Sequence, residues 1–189
     1  VTFKGSSYSD YDNEYIGSVV IPQKVIYEEN TYSVTSIGRS AFYFCESLAS
    51  VDIPNSVISI GANAFSDCIS LSSVTIPTGV KIIESSTFYN CKNLISVEIP
   101  NKVTSIGDYA FMGCTSLPSI EIPNGVSNIG TQAFKSCSSL TSVEIGDKVI
   151  SIGSAAFEGT AWYKNQPNGV VYLDNYLLGY KGTMPSKTS

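Results

Sequence analysis

The sequence predicts a repeat solenoid, in which short coils of one design stack around a continuous core. Three observations lead to this prediction. One residue pattern recurs every 23 residues without a slip, each copy holds an alternating apolar stretch, and glycine or proline marks its corners. A fixed period of this length is the signature of a repeat array. The period is clearest in six phenylalanines: Phe42, Phe65, Phe88, Phe111, Phe134 and Phe157.

The strand of each coil is represented by the stretch from Ser50 to Pro54. Apolar and polar residues alternate along it, as expected of a half-buried strand. We expect Val51 and Ile53 to face inward, and Pro54 to end the strand because it has no N–H to donate. Stacking would make these strands parallel. The outward positions then form two polar columns: Ser50, Ser73, Ser96, Ser119 and Ser142 in one, and Asp52, Thr75, Glu98, Glu121 and Glu144 in the other.

The remaining residues of each coil connect its strand to the strand of the next coil. The arc from Val57 to Ile60 predicts a second short strand. A glycine stands four residues before each phenylalanine, with Glu84 the one exception. The spacing of three between Phe65, Cys68 and Leu71 predicts one turn of 3₁₀ or α-helix.

A cysteine follows each of the first five phenylalanines by three residues. An odd number of cysteines at this spacing fits neither a zinc site nor a redox pair. A free cysteine in an apolar position behaves as a small hydrophobic residue, so we expect buried, reduced thiols. Disulfides between adjacent coils stay open as the alternative, since a separation of about 4.8 Å does not forbid them. The cysteines assigned to the core are Cys45, Cys68, Cys91, Cys114 and Cys137.

The N-terminal end departs from the period. Residues 19–22 match the strand of an earlier coil, but the next strand follows nine residues later than the 23-residue period requires. The extra length alternates around Glu29 and Asn30, which predicts a β-hairpin. We expect residues 1–34 to form a cap whose hairpin covers the open end of the core. The tyrosines Tyr8, Tyr11 and Tyr15 lie before it, in a cap or edge strand or, alternatively, on a binding surface.

The C-terminal end departs from it as well. Repeats are expected over residues 35–160, and Thr160 takes the position of the sixth cysteine. Asp174 and Asn175, between two apolar runs, predict a second hairpin within residues 161–189. Two interpretations remain open: the hairpin and Trp162 form a C-terminal cap, or the hairpin precedes further repeats of a longer protein. The last nine residues are polar, and we expect them to be loose.

Composition excludes several classes of function. There is no histidine, which removes Ser-His-Asp and Cys-His catalysis and most zinc sites. A net charge of −5 argues against a nucleic-acid partner. No phosphate-binding glycine motif and no long apolar run are present, so neither a cofactor nor a transmembrane segment is expected. Stacked carboxylates approach the spacing used by glycosidases, but an open sheet lacks a pocket, so we expect no enzyme.

The pattern L-x-x-V-x-I-P-x-x-V-x-x-I-G-x-x-A-F-x-x-C resembles the BspA-like leucine-rich repeat over residues 16–159. This resemblance implies a curved, right-handed coil with a parallel sheet on its concave face. It also implies an exported or surface-anchored protein of a host-associated bacterium, its signal peptide removed, that adheres to host or bacterial surface proteins. We expect a monomer that binds a Lys- or Arg-bearing partner with its two polar columns. The alternative is a structural spacer that presents another domain.

Overall fold

The computed structural model describes residues 15–182, except for the side chain of Tyr180. These residues form a β-solenoid of parallel strands with almost no helix. The tyrosines at positions 8 and 11 and residues 183–189 of the polar C-terminal tail lie outside the described residues, whereas Lys181, the first residue of that tail, ends a strand. No helix in the described range has the length and apolar character needed to cross a bilayer.

Two columns of strands run the length of the array. The first ladder consists of β1 (Gly17–Val20), β5 (Leu48–Asp52), β7 (Ser73–Thr75), β9 (Ser96–Glu98), β11 (Ser119–Ile122) and β13 (Ser142–Ile145). The second ladder consists of β4 (Ser36–Ile37), β6 (Ser59–Ile60), β8 (Ile82–Ile83), β10 (Ser105–Ile106), β12 (Asn128–Ile129) and β14 (Ser151–Ile152). Every strand pair within the two ladders is parallel, and each keeps one register throughout except the pair of β1 and β5, where the register shifts between Gly17 and Ser18.

The core is one continuous strip of apolar side chains between the ladders. All six phenylalanines of the period are buried, and neighbouring rings stack with centroids 5.1–5.5 Å apart. Offset stacking at this separation adds to the stabilisation that burial of each ring supplies. The ring of Tyr15 packs on Phe42 at one end of the stack, and the edge of Trp162 meets Phe157 at the other.

The segment around each phenylalanine is a series of turns, where the sequence predicts a turn of helix. The residues two before and two after each phenylalanine have positive φ, for example Asn63 at 56° and Asp67 at 61°. Alternate amides donate along their own coil, as from Cys68 to Phe65, while the others donate to the next coil, as from Phe65 to Thr87. A helix cannot form because half of its amides bond across coils. We call this third column, residues 39–45 and their repeats, the turn ladder.

Glycine before the turn ladder permits close approach between coils. A Cβ at Gly107 would lie 2.6 Å from the Ser85 nitrogen, and one at Gly61 would lie 2.6 Å from the Arg39 nitrogen. No such contact tolerates a side chain. Glu84 is the exception in this column, and the second ladder is interrupted there, since β6 and β8 are not paired. The Cβ of Glu84 therefore separates two coils that glycine would bring together.

The N-terminal hairpin forms but does not cover the core. It consists of β2 (Lys24–Tyr27) and β3 (Asn30–Ser33), joined by Glu28 and Glu29 at positive φ. All eight strand residues are exposed. The expectation that this hairpin covers the open end of the core is therefore wrong, whereas a cap over residues 1–34 stays a prediction, since residues 1–14 lie outside the described part of the chain. Within the described residues the Tyr15 ring packs on Phe42 at this end of the core, and Ile21, which follows β1, is buried.

At the other end a short helix and a hairpin pack on the last coil. Thr160 caps helix α1 (Ala161–Asn165) by accepting a hydrogen bond from the Tyr163 amide. The hairpin of β15 (Gly169–Leu173) and β16 (Tyr176–Lys181) turns at Asp174 and Asn175, as the sequence predicts. Its residues Val171 and Leu173 are buried, so this hairpin, unlike the first, contributes to the core.

Candidate functional site

The two polar columns lie on one face of the first ladder. Register pairs Ser50 with Ser73 and Ser73 with Ser96, and it pairs Thr75 with Glu98 and Glu121 with Glu144. Successive residues of a strand point to opposite faces, so burial of Val51, Val74 and Ile120 sends both columns outward. We call the ten residues of the two columns the polar face.

Nine of the ten polar-face residues are exposed, and Ser50 is half-buried. The Ser50 hydroxyl donates to the Ser18 hydroxyl at 2.8 Å. That contact shows what the sequence analysis missed: β1 continues both columns, with Ser18 beside Ser50 and Val20 beside Asp52. The nine-residue insertion hides this register in the sequence, although residues 19–22 carry the strand pattern.

The first ladder is interrupted between β9 and β11. In the other coils the residue before the strand donates its amide to the preceding coil, as Ile95 does to Ser72 and Thr141 does to Pro118. Pro118 occupies this position in the fifth coil and has no N–H. The missing donor explains the interruption. The signal was present in the sequence, since Pro118 aligns with Ala49, Ser72, Ile95 and Thr141.

Two shallow clefts open beside this interruption. One, of about 300 Å³, is lined by Glu98, Asn101, Ser119 and Glu121 together with Val97, Ile99 and Pro123. The other, of about 280 Å³, lies between Thr75, Glu98, Pro100, Asn101 and Lys102. Glu98 and Asn101 line both. The centre of the polar face is therefore indented, with the carboxylates of Glu98 and Glu121, the side-chain amide of Asn101 and the Lys102 ammonium group at its edge.

The chemistry of the polar face is that of exposed carboxylates and hydroxyls. Such groups can form ion pairs and hydrogen bonds with a basic partner. No group of histidine, cysteine and acidic residues within the described part of the chain is arranged to hold a metal ion. The polar face therefore presents negative charge and hydrogen-bonding groups on its exposed surface.

The cysteine column lies inside the coil, away from the polar face. All five cysteines are buried and none forms a disulfide. Four thiols contact the carbonyl oxygen of a phenylalanine 26 residues earlier, as Cys91 does with Phe65 at 3.1 Å. Burial raises the pKa of Cys68, Cys91 and Cys114 well above the ordinary value of a thiol. These thiols have a structural role, with no access for a substrate.

Comparison with known sequences assigns the repeat. The sequence profile of the BspA type leucine rich repeat region matches residues 33–164 as six copies. The number of copies equals the number of coils that carry a phenylalanine of the stack. A search of curated proteins gives no match.

Several solved bacterial structures are similar to the chain. A leucine-rich repeat protein from Bacteroides ovatus is 42% identical over 70% of this chain and 34% of its own length, with a TM-score of 0.68. The T. pallidum leucine rich repeat protein is 35% identical over 67% of this chain and 57% of its own, with a TM-score of 0.62. A leucine-rich repeat protein from Eubacterium ventriosum is 26% identical over 76% of this chain and 43% of its own length, with a TM-score of 0.65. The chain thus spans about a third to somewhat over half of these proteins.

Proposed function

Because the chain belongs to the BspA-type leucine-rich-repeat family, we propose that it is a non-enzymatic module that binds proteins outside the cell of a host-associated bacterium. Repeat arrays commonly bind partners on an extended strand face. The family and its fold are typically non-catalytic, which favours recognition over reaction. The partner is a host or bacterial surface protein.

The observation that carries the proposal is the polar face with its central clefts. Three exposed glutamates, Glu98, Glu121 and Glu144, follow one another in a single column. Like charges in adjacent strands are mildly destabilising, and an oppositely charged partner would relieve this repulsion. The partner surface that fits is therefore rich in lysine and arginine, and its side chains enter the clefts beside Glu98 and Glu121.

A double charge reversal tests the proposal. Glu98→Lys with Glu121→Lys changes the centre of the polar face and alters only exposed side chains. The matched control, Glu28→Lys with Glu84→Lys, makes the same change in net charge at exposed positions off the polar face. Binding to a panel of extracellular-matrix, mucosal and bacterial surface proteins is measured by surface plasmon resonance, with circular dichroism to verify the fold.

We expect the polar-face variant to lose at least about ten-fold in affinity, and the control to bind as the parent does. Parent affinity should also fall with added salt, because exposed charge pairs are screened. Equal binding by parent and polar-face variant would rule out this face. If no member of the panel bound the parent, the alternative of a spacer would be favoured.

A further inference from the structure

The hydrogen bonds between coils in the turn ladder all run in one direction along the array, unlike those of the two strand ladders. At each of its five junctions, three amides of one coil donate to carbonyls of the following coil at 2.7–3.1 Å, as Asn63, Phe65 and Asp67 do to Ser85, Thr87 and Tyr89. The carbonyls bonded to those amide nitrogens accept from the preceding coil, as Ala64 does from Phe42. In a β-ladder donors and acceptors alternate along each edge. Here the C-terminal edge carries donors alone.

The last coil ends this ladder with three amides that have no acceptor in the described chain. By the period, Ala155, Phe157 and Gly159 correspond to Gln132, Phe134 and Ser136, whose amides donate to the last coil. Neither a backbone carbonyl nor a side chain of the described residues accepts from these three. Phe157 as a residue is 2% exposed, and Ala155 and Gly159 are half-buried. An amide that is shielded from water and has no partner is costly, so this edge favours an acceptor.

A cavity of about 330 Å³ adjoins this edge. Ala155 and Phe157 line it on one side, and Tyr163, Leu177 and Leu178 line it on the other. The C-terminal hairpin thus passes beside the turn ladder without pairing with it. Among the described residues, Glu158 is the only charged side chain in the lining, and its carboxylate lies 2.9 Å from the Lys135 ammonium group. The cavity therefore combines backbone donors with apolar walls.

The electrostatics of the ladder favour an anion at this edge. The peptide units of each column are stacked head to tail through five hydrogen bonds, so their dipoles add. Aligned peptide dipoles leave partial positive charge where the N–H groups end, as at the start of a helix. Rows of backbone N–H groups bind carboxylates in proteins for this reason.

We propose that this edge binds the C-terminal residue of a peptide with an apolar side chain. The Ala155 and Phe157 amides donate hydrogen bonds to the carboxylate of this residue and to the carbonyl group of the residue before it. Its side chain lies against Leu177, Leu178 and the ring of Tyr163. The cavity volume is at the lower end of the range for small-ligand sites, which suits one or two residues. This site is separate from the polar face and does not depend on its function.

The test uses the full chain, labelled with ¹⁵N, and the peptide N-acetyl-alanyl-leucine. We expect saturable shifts of the Ala155 and Phe157 amide signals, while the equivalent interior amides of Gln132 and Phe134 stay unchanged. The same peptide with a C-terminal amide should bind at least about ten-fold more weakly, because charge-assisted hydrogen bonds are lost. Acetate, which has the charge but no side chain, should also bind more weakly than the peptide.

Leu177 offers matched variants because it lines the cavity and is 65% exposed. Leu177→Glu should abolish the shifts by repelling the carboxylate, and Leu177→Gln should retain them. Val170→Glu places the same charge on an exposed position of the paired strand, outside the cavity lining, and should bind as the parent does. Equal binding of acid and amide peptides, or shifts that leave Ala155 and Phe157 unaffected, would overturn the proposal.

Discussion

The spacing between coils depends on single side chains in the column before the turn ladder. Glycine brings backbones together there, and the one glutamate of the column coincides with an interrupted second ladder. A methyl group at Gly107 would meet the backbone nitrogen of Ser85, which cannot move aside as a flexible side chain can. Alanine at position 84 would place no new atom against the neighbouring backbone, because Glu84 already carries a Cβ.

We therefore expect Gly107→Ala to lower the free energy of unfolding by about 1–3 kcal/mol, as overpacking does. Glu84→Ala, the control in the same column, should change it by less than about 0.5 kcal/mol. Urea unfolding followed by circular dichroism measures both. Equal losses in the two variants would show that close approach does not depend on this column.

Three of the buried thiols, those of Cys68, Cys91 and Cys114, link stability to pH. In the unfolded chain a thiol ionises near its ordinary pKa of 9.0, whereas burial keeps the folded thiols of Cys68, Cys91 and Cys114 protonated above that pH. The unfolded state then binds fewer protons than the folded state. The part of the folding stability that depends on these protonated thiols is fully present below about pH 9, and it is lost as the pH rises beyond that value.

From pH 8 to 9.5 these three thiols should together lower the free energy of unfolding by about 2 kcal/mol. Cys91→Ala should reduce that loss by about a third, although it also lowers stability at pH 7 by leaving a cavity. Urea unfolding across this pH range, compared between parent and variant, gives both quantities. An unchanged pH dependence in the variant would show that Cys91 does not contribute to it.

At the scale of elements, two ladders with the same period are interrupted at different junctions. Glu84 stands at the interruption of the second ladder between β6 and β8, and Pro118 at that of the first between β9 and β11. Glu84 adds a side chain where the other coils have glycine, and Pro118 removes a hydrogen-bond donor. The second interruption opens the polar face at its centre and so shapes the proposed binding site.

Pro118→Ala should restore an amide that can donate to Ile95 and so join β9 to β11. We expect a gain of about 0.5–1.5 kcal/mol in the free energy of unfolding and slow hydrogen exchange at the new amide. The reciprocal change, Thr141→Pro, removes the amide that donates to Pro118 at 2.9 Å and should destabilise the chain. A fast-exchanging amide at position 118 would contradict this explanation of the interruption.

At the scale of the whole molecule, the array is held together by contacts between neighbouring coils. The phenylalanine stack runs from Tyr15 to Trp162 without a gap. In such an array stability is a sum over coils and their junctions. A defect at the centre therefore breaks the stack, and a defect at the end opens only the last coil.

Phe111→Ala should cost about 3–5 kcal/mol through lost burial and the cavity left behind, and should speed hydrogen exchange in coils on both sides. Trp162→Ala should increase exchange mainly in residues 145–160. Hydrogen exchange with mass spectrometry resolves the two patterns. Equal acceleration along the whole array in both variants would instead indicate a single cooperative unit.

The 23-residue period and the alternation within each coil determined, from the sequence alone, the solenoid, its inward and outward residues and both hairpins. These features depend on side-chain direction and turn chemistry, which act within a few residues. Only the tertiary structure decided that the first hairpin is exposed, that Ser18 continues the polar face, and that the turn segments form a ladder of aligned amides. Each of these depends on which backbone lies across the next coil, and that neighbour is set by packing.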